Sequence, residues 1–377
     1  MIPRGVWVGD RFEYGLSAEV ENGRVVSTSS SSAQPEDVWL SPAFVNAHSH
    51  LEYRPHLRDF DQVDYWPWIR NLAALKAEED LAVVEEYTGI AARENFSAGI
   101  GWIGEHSDRP YSAVPLIEDL VGGRLFYELI TFSSPGAEEA RIAGILSKHA
   151  EQMALVDCAE GWEGSLSPHA TWTVDPTRLR ERADSGDFLS IHVAETPYEE
   201  QLFRHGDGPI AELYTRMEIQ IPRHPEGVIG FLRECGMVRA RTQFVHGCDI
   251  PIAAMEELAS ANVSIAHCPR SNEALMCPDA PIREFLDAGI LVGLGLDSPA
   301  SSGPIDMFEE MRTALCSSHR REQPVSANEV WNMATTMGAA SLELSGYNET
   351  PWIAIRSQAR TVEELIATAQ PQDVSWL

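Results

Sequence analysis

Four short apolar runs in this chain each stop on a side chain of the kind that binds metals, and no other feature limits the possible folds as tightly. Phe44-Val45-Asn46-Ala47-His48-Ser49-His50 ends in two histidines. Phe188-Leu189-Ser190-Ile191 runs into His192, Thr242-Gln243-Phe244-Val245 into His246, and Ile290-Leu291-Val292-Gly293-Leu294-Gly295-Leu296 into Asp297. Residues i and i+2 of a strand point to the same side, so His48 and His50 project together. His50, His192, His246 and Asp297 are separated by 142, 54 and 51 residues. No local loop joins donors that far apart, so the fold must gather them. A (β/α)8 barrel does so, because its strand ends converge on one face where catalytic residues collect. The competing reading gives each histidine a structural role, and it leaves the recurrence at strand ends unexplained.

The rest of the chain has the same rhythm. Candidate strands end near His48, Gly104, Glu128, His169, His192, His246, His267 and Asp297, with helical sequence over 78–95, 137–154, 252–261 and 281–288. Strand and helix in alternation predict a parallel sheet. An open doubly wound sheet would place its ligand at one switch point, and no G-x-G-x-x-G or P-loop pattern follows any candidate strand. Before the barrel, Val6-Trp7-Val8 and Arg24-Val25-Val26-Ser27 read as strands of a hairpin or small sheet, with a turn signal at Glu21-Asn22-Gly23-Arg24 and a Ser-rich loop over 27–34. After helical sequence from 307 to about 344 come two strand-like runs, Trp352-Ile353-Ala354-Ile355 and Val374-Ser375-Trp376-Leu377. The expected architecture is α/β: a barrel over 41–344, and a small β-domain built from both termini, 1–40 and 345–377.

Charge narrows the partners. Lys plus Arg number 28 against 57 Asp plus Glu, a formal charge of −29. That excess repels phosphate backbones and anionic membranes, which argues against nucleic acid and lipid surfaces. No run approaches the ~18 apolar residues of a membrane span. Met1-Ile2-Pro3-Arg4-Gly5 shows no secretory pattern. The six cysteines are scattered without C-x-x-C and read as free thiols of a reducing compartment. A cytoplasmic protein acting on a small molecule is expected, with a homo-oligomer allowed.

The motifs together resemble the amidohydrolase superfamily. Pro42-Ala43-Phe44-Val45-Asn46-Ala47 leading into His48-Ser49-His50 is similar to its H-x-H strand. His192-Val193-Ala194-Glu195, Val245-His246, Ala266-His267-Cys268-Pro269-Arg270-Ser271-Asn272 and Gly293-Leu294-Gly295-Leu296-Asp297-Ser298 match its deaminase and chlorohydrolase branch in order. Ser167-Pro168-His169-Ala170 resembles the P-H-A element that follows the branch's fourth strand. The likeness spans about residues 40–345. The opening Asn46-Ala47-His48-Ser49-His50-Leu51-Glu52, the Trp66-Pro67-Trp68 element and Gly295-Leu296-Asp297-Ser298-Pro299-Ala300-Ser301 look most similar to aminodeoxyfutalosine deaminases, then to adenosine-type and S-adenosylhomocysteine deaminases.

The resemblance implies that His48, His50, His192 and Asp297 hold one divalent metal ion, with Zn2+ expected and Fe2+ the alternative. Imidazole and carboxylate donors suit either. No carboxylated lysine is indicated at the fourth strand, so a second ion is not expected. Glu195 would shuttle protons, His246 would orient the attacking water, and Asp297 would share one of that water's protons while ligating. Implied substrate contacts are His169, His267, Glu128, Trp68 and Ser298; His106 and Cys268 stay unassigned. Without the resemblance, Glu195 reads as a first-turn glutamate complementing a helix dipole, and the two tryptophans as helix packing. The implied reaction is hydrolytic deamination of an aminated purine nucleoside or related heterocycle, hydroxide attacking the amino-bearing carbon and ammonia leaving. The alternative is another C–N or C–Cl bond, as in guanine, a formimino compound or a triazine. The P-C-x-x-C motif of cytidine-type deaminases is absent. Two departures from the branch stand out. Gly295-Leu296 replaces a Gly-Thr, and the loss of that hydroxyl is expected to alter the hydrogen bonding behind Asp297. Residues 342–377 lack a G-x-x-A-D stretch, predicting a reduced C-terminal part.

Overall fold

The computed structural model describes residues 1–110, 112–132 and 138–377. The chain opens in a β-layer. β1 (Pro3–Val8) pairs antiparallel with β2 (Arg11–Glu13), and β3 (Leu16–Glu21) forms a hairpin with β4 (Arg24–Ser30). Asn22 and Gly23 between them take φ of 50° and 76°, as a tight hairpin turn requires. β5 (Glu36–Pro42) then runs parallel to β1. Two expectations change here. The segments around Val6–Val8 and Arg24–Ser27 lie in different sheets, and β4 continues to Ser30, into the stretch read as a loop. Its serines are exposed, and the ladder to β3 supplies the backbone bonds that composition does not reveal.

Eight parallel strands follow. β6 (Phe44–Ser49), β7 (Ile100–Ser107), β8 (Gly122–Leu129) and β9 (Trp162–Pro168) form one arc. β10 (Leu189–Val193), β11 (Thr242–His246), β12 (Ser264–His267) and β13 (Val292–Leu294) form the other. Isolated parallel bridges, Ala170 with His192 and Ser49 with Asp297, link the arcs on both sides. There the His192 amide donates to the His169 carbonyl and the Asp297 amide to that of His48, both at 2.9 Å. The result is a TIM-barrel-like α/β fold. β6, β7, β8 and β10 to β13 are buried along their whole length, as strands covered on both faces are.

The first and last barrel strands meet because β13 carries glycine where it faces β6. A Cβ on Gly293 would lie 2.5 Å from the Ala47 Cβ, and one on Gly295, just past the strand, 2.8 Å from the His48 Cβ. β7 runs on to Ser107 instead of stopping near Gly104, and so delivers Glu105 and His106 to the barrel's end. The expected helices occur at Leu81–Ser97, Glu138–Val156, Met255–Ser260 and Ile282–Asp287; residue 137 lies outside the described residues. β14 (Trp352–Arg356) and β15 (Val374–Trp376) return to the N-terminal layer in the order β15-β14-β5-β1-β2. A short helix, Val362–Thr368, separates them.

Aromatic packing joins layer to barrel. Phe12 meets Trp39 and Trp331 edge-on at 5.0 and 4.9 Å, and Phe44 meets Trp331 and Phe308 at 5.4 and 5.6 Å. The Trp331 indole donates to the Ser41 hydroxyl at 2.9 Å, so its one polar atom is satisfied. Among the described residues no helix is long and apolar enough to cross a membrane.

Candidate active site

At the carboxyl end of the barrel one donor atom from each of His48, His50 and His192 falls within 4.8 Å of the others. The backbone sets their direction. His50 Nδ1–H donates to the His106 carbonyl at 3.0 Å, and His192 Nδ1–H to the His169 carbonyl at 2.6 Å. Each Nε2 is thereby left with its lone pair free, and the two lie 3.3 Å apart. His48 Nδ1 bonds His106 Nδ1 at 3.0 Å, while its fully buried Nε2 has no hydrogen-bond partner. Asp297 Oδ1 stands 3.4 Å from His48 Nε2 and 3.9 Å from His50 Nε2. Burial first, and then mutual repulsion, holds the His50 imidazole well below its ordinary pKa, which is the neutral, ligating form. Burial raises the Asp297 carboxyl, but the His48 ring beside it, with His246 and His50, outweighs that and holds the group well below the usual range. Three neutral imidazoles and an ionised carboxylate, converging with an orphaned buried nitrogen among them, suit a divalent cation.

Asp297 is held from behind. Its Oδ2 accepts from the hydroxyls of Ser271 and Ser301, the latter at 3.1 Å. With Leu296 in place of a threonine, these hydroxyls come from other segments, and the Leu296 amide bonds Asn46 Oδ1 at 2.8 Å. Asp297 and His246 both take left-handed backbone, φ 53° and 68°, a conformation that costs of order 1–3 kcal/mol in a residue with a Cβ and tends to collect at functional sites.

Glu195 and His246 face each other beside the donors, Oε1 to Nε2 at 3.7 Å. His246 Nδ1–H donates to Asn272 Oδ1 at 2.9 Å, which leaves Nε2 as the atom directed at the carboxylate. Burial, and then the charge of Asp297, pushes the Glu195 carboxyl well above its usual range. A carboxyl so placed holds a proton more readily than one in water. The Glu195 amide is tied to Glu199 Oε1 at 2.9 Å, which fixes the turn after β10.

These groups open on a cavity of about 50 Å³, whose lining includes His50, His192, Glu195, His246 and Asp297. Of the expected substrate contacts, His169, Trp68 and Ser298 line it. His169 Nδ1 bonds the Thr173 hydroxyl at 2.8 Å, and burial lowers the imidazole to about 3. The Ser298 hydroxyl caps the turn Pro299–Ser302. Glu128 and His267 are not among the lining residues. The Glu128 carboxyl is buried, with Oε1 3.9 Å from His169 Nε2, and both ring nitrogens of His267 are buried without partners. His267 closes β12, but ending a strand does not decide whether a side chain reaches the opening. Sequence reasoning left His106, Ser271, Asn272 and Ser301 without roles, and missed Tyr53 and Tyr65 on the cavity wall. Asn272 and Ser271 lay inside a motif already in view; His106 had its place two residues beyond Gly104 on the extended strand.

Known proteins resemble this chain in sequence and in fold. The chain is 30% identical over 294 residues to an aminodeoxyfutalosine deaminase of Deinococcus radiodurans, covering 73% of this chain and 67% of that protein. It is 28% identical over 349 residues to a 5-methylthioadenosine/S-adenosylhomocysteine deaminase of Natronomonas pharaonis, covering 86% and 74%. In fold it resembles a zinc-bound adenosine deaminase from Xanthomonas campestris, with a TM-score of 0.80, 20% identity, and 99% of this chain and 89% of that one covered. An aminofutalosine deaminase of Helicobacter pylori in complex with methylthio-coformycin gives a TM-score of 0.79 at 19% identity, covering 99% and 98%. The sequence pattern of the amidohydrolase family matches residues 39–349, from β5 to just before β14, and the chain is a member of that family.

Proposed function

We propose that this protein is a zinc-dependent hydrolytic deaminase of an aminated purine nucleoside or a related heterocycle. The observation that carries the reading is the convergence of three free imidazole nitrogens and one carboxylate beside the Glu195–His246 pair. In this reading residues 41–344 carry the site, and 1–40 with 345–377 form a supporting β-domain. His48, His50, His192 and Asp297 would hold the ion. When bound, it would lower the pKa of water from about 15.7 towards 7 and so supply hydroxide near neutrality.

The chain's own groups account for the remaining chemistry. Asp297 is ionised and braced by two hydroxyls, so it can ligate and still accept a proton from the attacking water. Glu195, whose carboxyl is pushed upward by burial, would take one proton of the water and pass it to the ring nitrogen. His246, its Nδ1 committed to Asn272, keeps an accepting Nε2 aimed at the same spot, where it would orient the attacking water. His169 and Ser298 offer polar atoms on the cavity wall, and Trp68 an aromatic face for a heterocycle. Glu128 and His267 would act from behind that wall. Water adds at the amino-bearing carbon, the C–N bond breaks, and ammonia leaves with the water's second proton, the one Asp297 accepts, while the first stays on the ring nitrogen of the oxo product.

The test is ammonia release from a panel of adenosine derivatives, run beside guanine, a formimino compound and a chlorotriazine. Turnover on at least one aminopurine is expected, and its absence on every one overturns the reading.

A further inference from the structure

A strand that continued past β10 would turn Glu195 away from His192, because residues i and i+3 of a strand point to opposite sides. Glu195 nevertheless lines the same cavity as His192. The reversal is made by an elbow at Ala194, a buried residue whose φ of 50° lies in the left-handed region that a residue with a Cβ enters only at a cost. The Ala194 carbonyl accepts from the Asp249 amide at 2.9 Å, which fixes one side of the elbow. The other side is fixed by Glu199.

Glu199 lies in the short helix Pro197–Glu200, one turn beyond Glu195. Its Oε1 accepts from the Glu195 amide at 2.9 Å, and its Oε2 accepts from the Thr171 hydroxyl. Thr171 belongs to the loop after β9 that carries His169, and its amide donates to the His192 carbonyl at 3.3 Å. One carboxylate thereby ties the His169 loop and the end of β10 to the elbow that aims Glu195. Glu199 is 3% exposed, and the groups that act on it are the Thr171 hydroxyl, backbone amides and Glu195, with no cation among them. Burial pushes its carboxyl up to about 7. An acid buried without a counter-ion works against folding, and an apolar side chain would fill the space at lower cost. The use of this acid therefore lies in what its two oxygens hold.

We propose that Glu199 is a positioning residue for the reaction: it clamps the Ala194–Glu195 elbow to the Thr171 loop and so keeps the Glu195 carboxyl opposite His246 Nε2, 3.7 Å away. The inference rests on the reading of Glu195 as proton carrier of a hydrolase, whichever bond is cut. Glu199 touches no reacting atom and acts only through Glu195.

The test is a double-mutant cycle in steady-state assays on a panel compound that the wild type hydrolyses, with metal content read for every variant. Glu199→Leu should lower kcat by about 10- to 100-fold and leave KM within about twofold, as a shift of the proton carrier by about 1 Å predicts. Glu199→Gln keeps an acceptor for the Glu195 amide and a polar partner for Thr171, and should bring kcat back to within about threefold of the wild type. Added to Glu195→Gln, Glu199→Leu should cost less than about twofold more, because the clamp then has no proton carrier to place. Should Glu199→Leu not fold, Thr171→Val removes the hydroxyl donor alone and runs the same cycle. An unchanged kcat in Glu199→Leu, a Glu199→Gln as slow as Glu199→Leu, or losses that multiply in the double variant overturns the inference. Crystal structures of the metal-loaded variants need no substrate: the Glu195 carboxyl should move from His246 by about 1 Å or more in Glu199→Leu, and an unmoved carboxyl overturns the clamp. If no aminopurine releases ammonia but Glu195 is displaced in Glu199→Leu, the deaminase reading falls and the clamp stands.

Discussion

His50 and His192 keep Nε2 free because backbone carbonyls occupy Nδ1, and the same arrangement recurs at His246 with Asn272 in the carbonyl's place. The chemistry of single residues thus depends on partners that hold tautomers. Replacing Glu195 by Gln preserves shape and removes the proton carrier. We expect kcat to fall by about 10²- to 10⁴-fold while metal analysis still gives the wild-type ion content; full activity would refute the shuttle. Replacing Asn272 by Leu frees His246 Nδ1, and a loss of about 10- to 100-fold in kcat is expected, with KM little changed in steady-state assays. The strand-end residues were legible in sequence because each closes an apolar run. Ser271 and Ser301 were not, since nothing local distinguishes a hydroxyl facing solvent from one that braces Asp297.

At the scale of elements, the helix Tyr65–Ala77 carries Tyr65 and Trp68 to the cavity, and Asp64 governs its start. One Asp64 oxygen accepts from the Trp66 amide and the other from the Tyr198 hydroxyl, both at 2.9 Å. Asp64→Ala should therefore cost about 1 kcal/mol in urea unfolding and raise KM, because the wall it anchors loosens. Where β13 approaches β6, the constraint is steric. A methyl group on Gly295 would overlap the His48 Cβ at 2.8 Å and the Cys268 Sγ at 2.9 Å. Gly295→Ala should destabilise the fold by roughly 1–3 kcal/mol and lower bound metal together, since His48 is the atom pushed aside. Alternation of strand and helix was readable from periodicity. The pairing of β4 with β3 and the extension of β7 were not, because register depends on which strand lies alongside.

For the whole molecule, the donor set ties stability to metal. A ligand that binds only the folded state raises its stability by mass action, so chelation should lower the thermal midpoint and abolish turnover, and zinc should restore both. Buried carboxyls act through pH. Burial pushes Glu310 up from 4.5 to about 8 against the opposing charge of Arg270. A carboxyl raised on folding favours the folded state below its unfolded pKa, and that contribution is lost as pH rises through the folded value. Glu310→Gln keeps an oxygen for the Arg270 amide, which Glu310 accepts at 3.0 Å. The variant should match the wild type in melting near pH 5 and exceed it near pH 9. Equal midpoints across that range would show that Glu310 is not perturbed.

By itself, the sequence determined the apolar runs, the ligand-type residues that end them, the strand–helix alternation and the family. All of these follow from residue order and local periodicity. Only the tertiary structure decided which ring nitrogens are free, that Glu195 faces His246, and that Glu128 and His267 stand outside the cavity lining. Those facts depend on distances between segments 50 to 250 residues apart in the chain, from Glu195–His246 to the Asn46 bond to Leu296. Such distances are set when β6 and β13 close against each other, and no local rule of the chain contains them.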